Sequence, residues 1–185
     1  RYLQVENPDH LMQYQRILAI PFQRFKRSSV NYLSADDLAV ILSQPDINTV
    51  NGRRDAVLLS VLYDTGARVT ELTNINLRDM RLTSPAQILL HGKGKKTRIV
   101  PLLSGTVNLL KEYVKEHGLD LPDRLDSPLF KNRRGERLSR SGVRYILAKY
   151  TRQACAEQTG ISEQVSPHTF RHTKATHLLQ AGNPV

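Results

Sequence analysis

Apolar positions along the chain recur mostly at helical spacing, with one short interval of strand-like alternation. A first run, Leu11, Met12, Tyr14 and Ile17, follows Pro8-Asp9 and predicts a helix to about Ala19, interrupted by Pro21. Ser34-Ala-Asp-Asp37 resembles a capping box with Asp in place of the usual Glu. The helix it opens holds Leu38, Ile41 and Leu42 on one face and ends at Pro45. From Arg54 to Asp64, residues Ala56, Val57, Leu58, Leu59, Val61 and Leu62 cover almost the whole circumference. That pattern predicts a central, buried helix. Thr65-Gly66 terminates it, and Thr70 is placed to cap a short helix through Glu71, Leu72 and Ile75.

The period then changes. Gln87–His91 and Thr97–Leu102 read as strands flanking Gly92-Lys-Gly-Lys-Lys96, which makes a β-hairpin with a glycine-rich basic tip. Helical spacing returns at Thr106–Glu116 through Val107, Leu110, Tyr113 and Val114. A proline-containing loop, Leu119–Phe130, leads to a helix from about Arg140 to Thr159 with Val143, Ile146, Leu147, Tyr150 and Ala154 inside. Finally Ser166 is a good N-cap, Pro167 suits the first helical position and Gly182 reads as the stop. The intervening helix, roughly 167–181, is apolar on two sides, which predicts that it is mostly buried.

Length and composition narrow the setting. The 185 residues suit one domain of ordinary size, with the short basic stretch before Val30 as the end of another unit or as an extension docked on the main one. Charge is the stronger clue: 27 Lys plus Arg against 17 Asp plus Glu leaves +10, and such an excess points to a polyanionic partner, most often nucleic acid. No apolar run of about 18 residues and no signal-peptide pattern argue against a membrane and for a cytoplasmic setting. The single cysteine, Cys155, excludes an internal disulfide and a zinc cluster, and reads as a small packing residue.

Candidate chemistry gathers at four places. His168, Arg171 and His172 share one face near the positive end of the last helix, an arrangement that asks for an anion, although pairing with acids elsewhere would also explain it. Arg68 sits in the tight junction after the central helix, where pairing with Asp64 or Glu71 reads equally well. Lys93, fixed between Gly92 and Gly94, is more constrained than Lys95 and Lys96, yet a solvated basic turn is the plainer reading. Lys131, Arg133, Arg134, Arg137, Arg140 and Arg144 crowd against the single acid Glu136, as a phosphate-tracking surface would.

Taken in order, Tyr63-Asp-Thr-Gly-Ala-Arg-Val-Thr-Glu-Leu72, His91-Gly-Lys-Gly-Lys-Lys-Thr-Arg98 and His168-Thr-Phe-Arg-His-Thr173, with Ala175-Thr-His-Leu-Leu179 and Gly182, closely resemble the tyrosine recombinase (phage integrase, Xer-like) catalytic domain. The resemblance covers residues 30–185 and implies a mostly helical α+β domain with a small antiparallel sheet. Residues 1–29 then correspond to the end of that family's N-terminal core-binding domain and its linker. It implies site-specific cleavage and rejoining of double-stranded DNA through a 3′-phosphotyrosyl intermediate, by protomers assembled as a tetrameric synapse.

By the same resemblance, Arg68 and Arg171 match the two catalytic arginines, His168 the histidine of the His-x-x-Arg motif and Lys93 the hairpin lysine. Glu71 and His172 fall at supporting positions. Lys95, Lys96, Arg98, Arg133, Arg134, Arg137, Arg140 and Arg144 remain as DNA-binding candidates. The chemistry suits these residue types: two guanidiniums clamp charge on nonbridging phosphate oxygens, a lysine protonates the leaving 5′-oxygen, and an imidazole assists proton transfer. No metal or other cofactor is required by such a site.

One departure is large. The family's second histidine or tryptophan and its nucleophilic tyrosine lie downstream of the Gly182 region, and none of Tyr2, Tyr14, Tyr32, Tyr63, Tyr113, Tyr145 or Tyr150 occupies that place. The expectation is a catalytic domain given without its nucleophile and inactive for cleavage as it stands. The competing readings are a DNA-binding protein that kept the fold without catalysis, and a type IB topoisomerase-like enzyme. The full set of Arg68, Lys93, His168 and Arg171 speaks against the first, and the Thr-Gly-Ala-Arg and His-Thr-Phe-Arg-His-Thr wording against the second.

Overall fold

The computed structural model describes residues 11–19, 32–92, 94, 96–119, 121–158 and 160–182. Helix α1 spans Leu11–Leu18. From Leu33 onward the order is α2 (Ala35–Ser43), α3 (Val50–Thr65), α4 (Val69–Thr73), β1 (Met80–Arg81), β2 (Gln87–His91), β3 (Thr97–Pro101), α5 (Ser104–Glu116), α6 (Arg140–Glu157) and α7 (Pro167–Gln180). The α+β expectation holds.

The core is built around α3. Val57, Leu58, Leu59, Val61 and Leu62 are all at most 2% exposed, and within this stretch Ser60 alone is partly open to water. Helices α5 and α7 pack on α3, while α2 lies against α6 and α3. The helix starts at Val50 rather than Arg54, because the Thr49 side chain accepts from the Gly52 amide and supplies the N-cap. Val50 is exposed, so the apolar pattern cannot see that first turn. Likewise Ser104, not Thr106, opens α5, and α6 ends at Glu157.

Three short strands form an antiparallel sheet in the order β1-β2-β3. The two-residue β1 is too short to leave a periodic signature, and the sequence pattern yields only the β2–β3 hairpin. In that hairpin Leu90 faces Arg98 and Ile88 faces Val100. Ile88 and Leu90 are fully buried, so strand alternation turns Arg98 and Val100 to the inner side and leaves Ile99 outside.

Helix α7 departs from the expected burial: only Phe170 and Thr173 are buried, and Leu179 is 60% exposed. Its seat on the domain is largely polar. Lys174 forms an ion pair with the buried Asp64 of α3 at 3.2 Å, and Asp64 also accepts from the Leu103 amide. Tyr63 and His177 are joined at 2.9 Å. Thr173 accepts the amide of Leu33 at 3.0 Å, and His177 Nε2 meets the carbonyl of the same residue at 3.1 Å. Two turns of α7 therefore hold the backbone of Leu33, whose side chain packs in the core.

Cys155 is a packing residue as expected, half-buried, with its thiol toward the Ile161 carbonyl. No helix among the described residues is long and apolar enough to cross a membrane.

Candidate active site

The site grows from the end of α3. Gly66 adopts φ 54°, the left-handed cap that reverses the chain, and Ala67 is buried against the core. Arg68 follows in extended conformation and is itself the N-cap position of α4, in place of Thr70. The Glu71 carboxylate satisfies that helix start by accepting from the Arg68 amide at 2.9 Å. It also accepts from Arg68 Nη1 at 2.9 Å. The cap is thus made by a side chain one turn ahead, which explains why a search for Ser or Thr at the cap points to the wrong residue.

Glu71 has a second cationic partner. Arg98 Nη1 donates to Oε1 at 3.0 Å and Nη2 to Oε2 at 2.7 Å, a two-pronged pair on a carboxylate that is 1% exposed. Burial alone would raise the Glu71 pKa. The Arg98 bonds and those from the Arg68 backbone and guanidinium overcome it and bring the value down to about 2. Arg98, a DNA-contact candidate by sequence, is therefore tied to Glu71 in this structure, because its strand position faces inward.

Arg171 reaches the same junction from α7. Its Nη1 donates to the Gly66 carbonyl at 2.6 Å, two residues before Arg68. Burial, and then the charges of Arg68 and Arg98, push its pKa below the ordinary arginine value, with Glu71 opposing. Arg68, Arg144, Ser166, His168 and Arg171 line one open cavity of about 400 Å³. Three guanidiniums and the N-terminal end of α7 meet there with no carboxylate in the lining. Such a concavity suits an anion. Arg144, expected to track phosphates with Arg133, Arg134 and Arg140, joins this cavity from α6.

A neighbouring cavity of about 730 Å³ is lined by Arg68, Glu71, His91, Gly92, Lys96 and Arg98. Gly92 matters by its lack of a side chain, since a Cβ there would sit 3.3 Å from Glu71 Oε1 and 3.2 Å from the Lys96 carbonyl. The root of the β2–β3 hairpin thus closes against the carboxylate that holds Arg68. Lys93 and Lys95, which fall between β2 and β3 in the sequence, lie outside the described residues.

His168 is exposed at the cavity rim, and its ring stacks on that of His172, centroids 5.5 Å apart. His172 does not line the cavity. Arg133 and Arg134 are exposed at the tip of a small turn closed by the Lys131–Arg137 bridge, and Arg140 is exposed at the start of α6. Arg137 behaves differently. It donates to the Thr73 carbonyl and to Asn76 Oδ1, both at 2.7 Å, and so anchors the turn to the end of α4 instead of offering a free guanidinium.

Among the described residues, no tyrosine lines either cavity. Tyr63, Tyr113 and Tyr150 spend their hydroxyls on His177, the Leu129 carbonyl and Asp55.

The model of the phage integrase family matches residues 31–185. The tyrosine recombinase XerC of Syntrophus aciditrophicus is 38% identical over 176 residues, covering 92% of this chain and 55% of that protein. Among solved structures, XerA recombinase superposes with a TM-score of 0.70 at 28% identity, over 95% of this chain and 60% of that one. XerH site-specific recombinase bound to its difH substrate, in a pre-cleavage complex, gives 0.64 at 26% identity, over 81% and 43%. The chain spans about half the length of the curated relatives it matches.

Proposed function

Because the chain belongs to the phage integrase family, we propose that it is the catalytic part of a site-specific DNA recombinase that cleaves and rejoins strands through a 3′-phosphotyrosyl intermediate. The observation that carries this reading is the meeting of Arg68 and Arg171 at one cavity although they are 103 positions apart in sequence. A phosphodiester seated there would place its nonbridging oxygens between guanidiniums, where the charge of a pentacoordinate phosphorane is stabilised by donors already in place.

Each residue then takes one part of the chemistry. The attacking phenolic oxygen forms its bond to phosphorus as the 5′-oxygen departs, and that oxygen needs a proton. Lys93 donates it, and His168 assists proton transfer at the attacking group. Glu71 fixes Arg68, and His172 supports His168 by stacking. The tyrosine comes from outside these 185 residues. No metal or other cofactor takes part in this scheme.

The surrounding surface serves the duplex. Arg133, Arg134 and Arg140, with Lys95 and Lys96 at the hairpin, supply phosphate contacts, and the formal charge of +10 favours association with DNA. Residues 30–185 form the catalytic domain, and residues 1–29 close an upstream core-binding domain. Other protomers join on DNA as a tetrameric synapse, in the cytoplasm.

The test uses the full-length protein and a nicked suicide duplex. A denaturant-resistant protein–DNA band is expected, lost in Arg68→Ala and in Arg171→Ala. No band, or a band unchanged by both substitutions, would overturn the reading.

A further inference from the structure

We propose that Arg98 is a positioning residue for Arg68: by bridging both oxygens of Glu71, it stops that carboxylate from capturing Arg68 and leaves the Arg68 guanidinium available to a phosphate. The inference rests on the recombinase reading above.

The geometry is a matter of occupancy. Glu71 accepts four hydrogen bonds: two from Arg98, one to each oxygen, one from the Arg68 amide and one from Arg68 Nη1. Its side chain is 1% exposed and each oxygen already accepts two of these bonds, so no acceptor site is left for water. Arg68 by contrast is 58% exposed and reaches the carboxylate through Nη1 alone. Its other donor nitrogens make no protein hydrogen bond among the described residues.

Guanidinium and carboxylate favour a two-pronged pair when both are free to form one. A buried carboxylate beside an arginine three residues away would take it in that form. Arg98 fills the position instead, from a strand whose alternation with Val100 fixes it on the inner face. Arg68 is then held by one bond, enough to orient it and too little to neutralise it. Arg98 also brings a second positive charge to a carboxylate that would otherwise cancel the one Arg68 needs.

Lysine cannot do the same. A single ammonium nitrogen does not span two carboxylate oxygens in the planar fork, so Arg98→Lys keeps the charge and leaves one edge of Glu71 open to Arg68.

The experiment uses the full-length protein with Arg98→Lys, Arg98→Gln, Glu71→Gln and the Arg98→Gln/Glu71→Gln double variant. Single-turnover cleavage of a suicide duplex, duplex affinity against salt, and a titration with inorganic phosphate followed by NMR are read for each. Thermal melting identifies variants that remain folded.

We expect Arg98→Gln to lose about 100-fold in cleavage, the size of removing one fixed transition-state donor, with duplex affinity and its salt slope unchanged. Arg98→Lys should fall by about tenfold, because charge alone does not hold Arg68 in place. The double variant should return to the level of Glu71→Gln alone, since without the carboxylate there is nothing for Arg98 to occupy. Inorganic phosphate affinity should follow the same order. Wild-type activity in Arg98→Lys, additive losses in the double variant, or a shallower salt slope in Arg98→Gln would each overturn the proposal. A wild-type protein that forms no adduct would count against the recombinase reading, and the phosphate titration would still decide the role of Arg98.

Discussion

Arg171 and Gly66 are joined by a hydrogen bond of 2.6 Å, from a guanidinium on the last helix to the carbonyl of the residue whose amide caps the central one. The turn that launches Arg68 is therefore also the turn that receives Arg171, and one local distortion reaches both.

Gly66→Ala tests this. An added Cβ would meet only Lys174, Cγ at 3.7 Å and Cβ at 3.9 Å, both ordinary contacts, so space is not the obstacle. The obstacle is φ 54°, which costs an L-residue about 1–2 kcal/mol. We expect a loss of that size in urea unfolding, a smaller one for Gly66→Asn, and a larger drop in cleavage than stability alone explains. Equal stability of Ala and Asn variants would contradict the account.

The Asp64–Lys174 pair should behave as a buried ion pair does. Lys174→Met leaves Asp64, 2% exposed, without its cation and should cost about 3–5 kcal/mol. The Asp64→Asn/Lys174→Met double variant should recover most of it, with the asparagine oxygen still accepting from the Leu103 amide. Additive losses in denaturant melts would show that the two residues act separately.

Glu71 sets an acid-limb expectation. Its pKa in the folded chain, about 2, lies below its ordinary 4.5, so the folded state gains stability from its ionisation. That contribution is full above pH 4.5 and disappears as pH falls through 2. Glu71→Gln should be less stable than wild type at neutral pH and should show a flatter loss between pH 4.5 and 2. Parallel melting curves across that window would refute it.

The basic surface divides into contacts and anchors. Arg133→Gln/Arg134→Gln should lower the slope of log affinity against log salt by about two, close to 0.9 per phosphate contact released. Arg137→Gln should leave the slope alone and lower the melting temperature, because its guanidinium holds Thr73 and Asn76. Filter binding at several salt concentrations separates the two.

For Lys93, we expect Lys93→Ala in the full-length protein to reduce cleavage by about 10²–10⁴-fold, the size of a proton-transfer contribution. A 5′-bridging sulfur, a better leaving group, should restore it. An equal defect in Lys95→Ala would argue against a specific general acid.

The elements that carry periodic apolar faces were legible in the chain. Helix α3 announces itself because its buried residues leave no polar side, and β2–β3 because two strands flank a glycine-rich turn. What escapes the pattern is decided by single polar contacts. Helix α7 is expected to be mostly buried, but ion pairing and hydrogen bonding at Lys174, His177 and Thr173 seat it while leaving Leu179 outside.

The same holds for the site. Arg68, His168 and Arg171 stand out by type and position, and the cavity joins them. Composition alone cannot separate Arg98 and Arg137 from their neighbours, since a guanidinium facing inward and one facing solvent look identical in a string. A strand's phase decides the first and the carbonyl at the end of α4 the second.

The grip on Leu33 has a mechanical side. Its amide and carbonyl are both fastened to α7, at Thr173 and His177, by bonds that involve no side chain of Leu33. The point just ahead of α2 is thus tied directly to the helix bearing His168 and Arg171, in addition to the buried Leu33 side chain in the core.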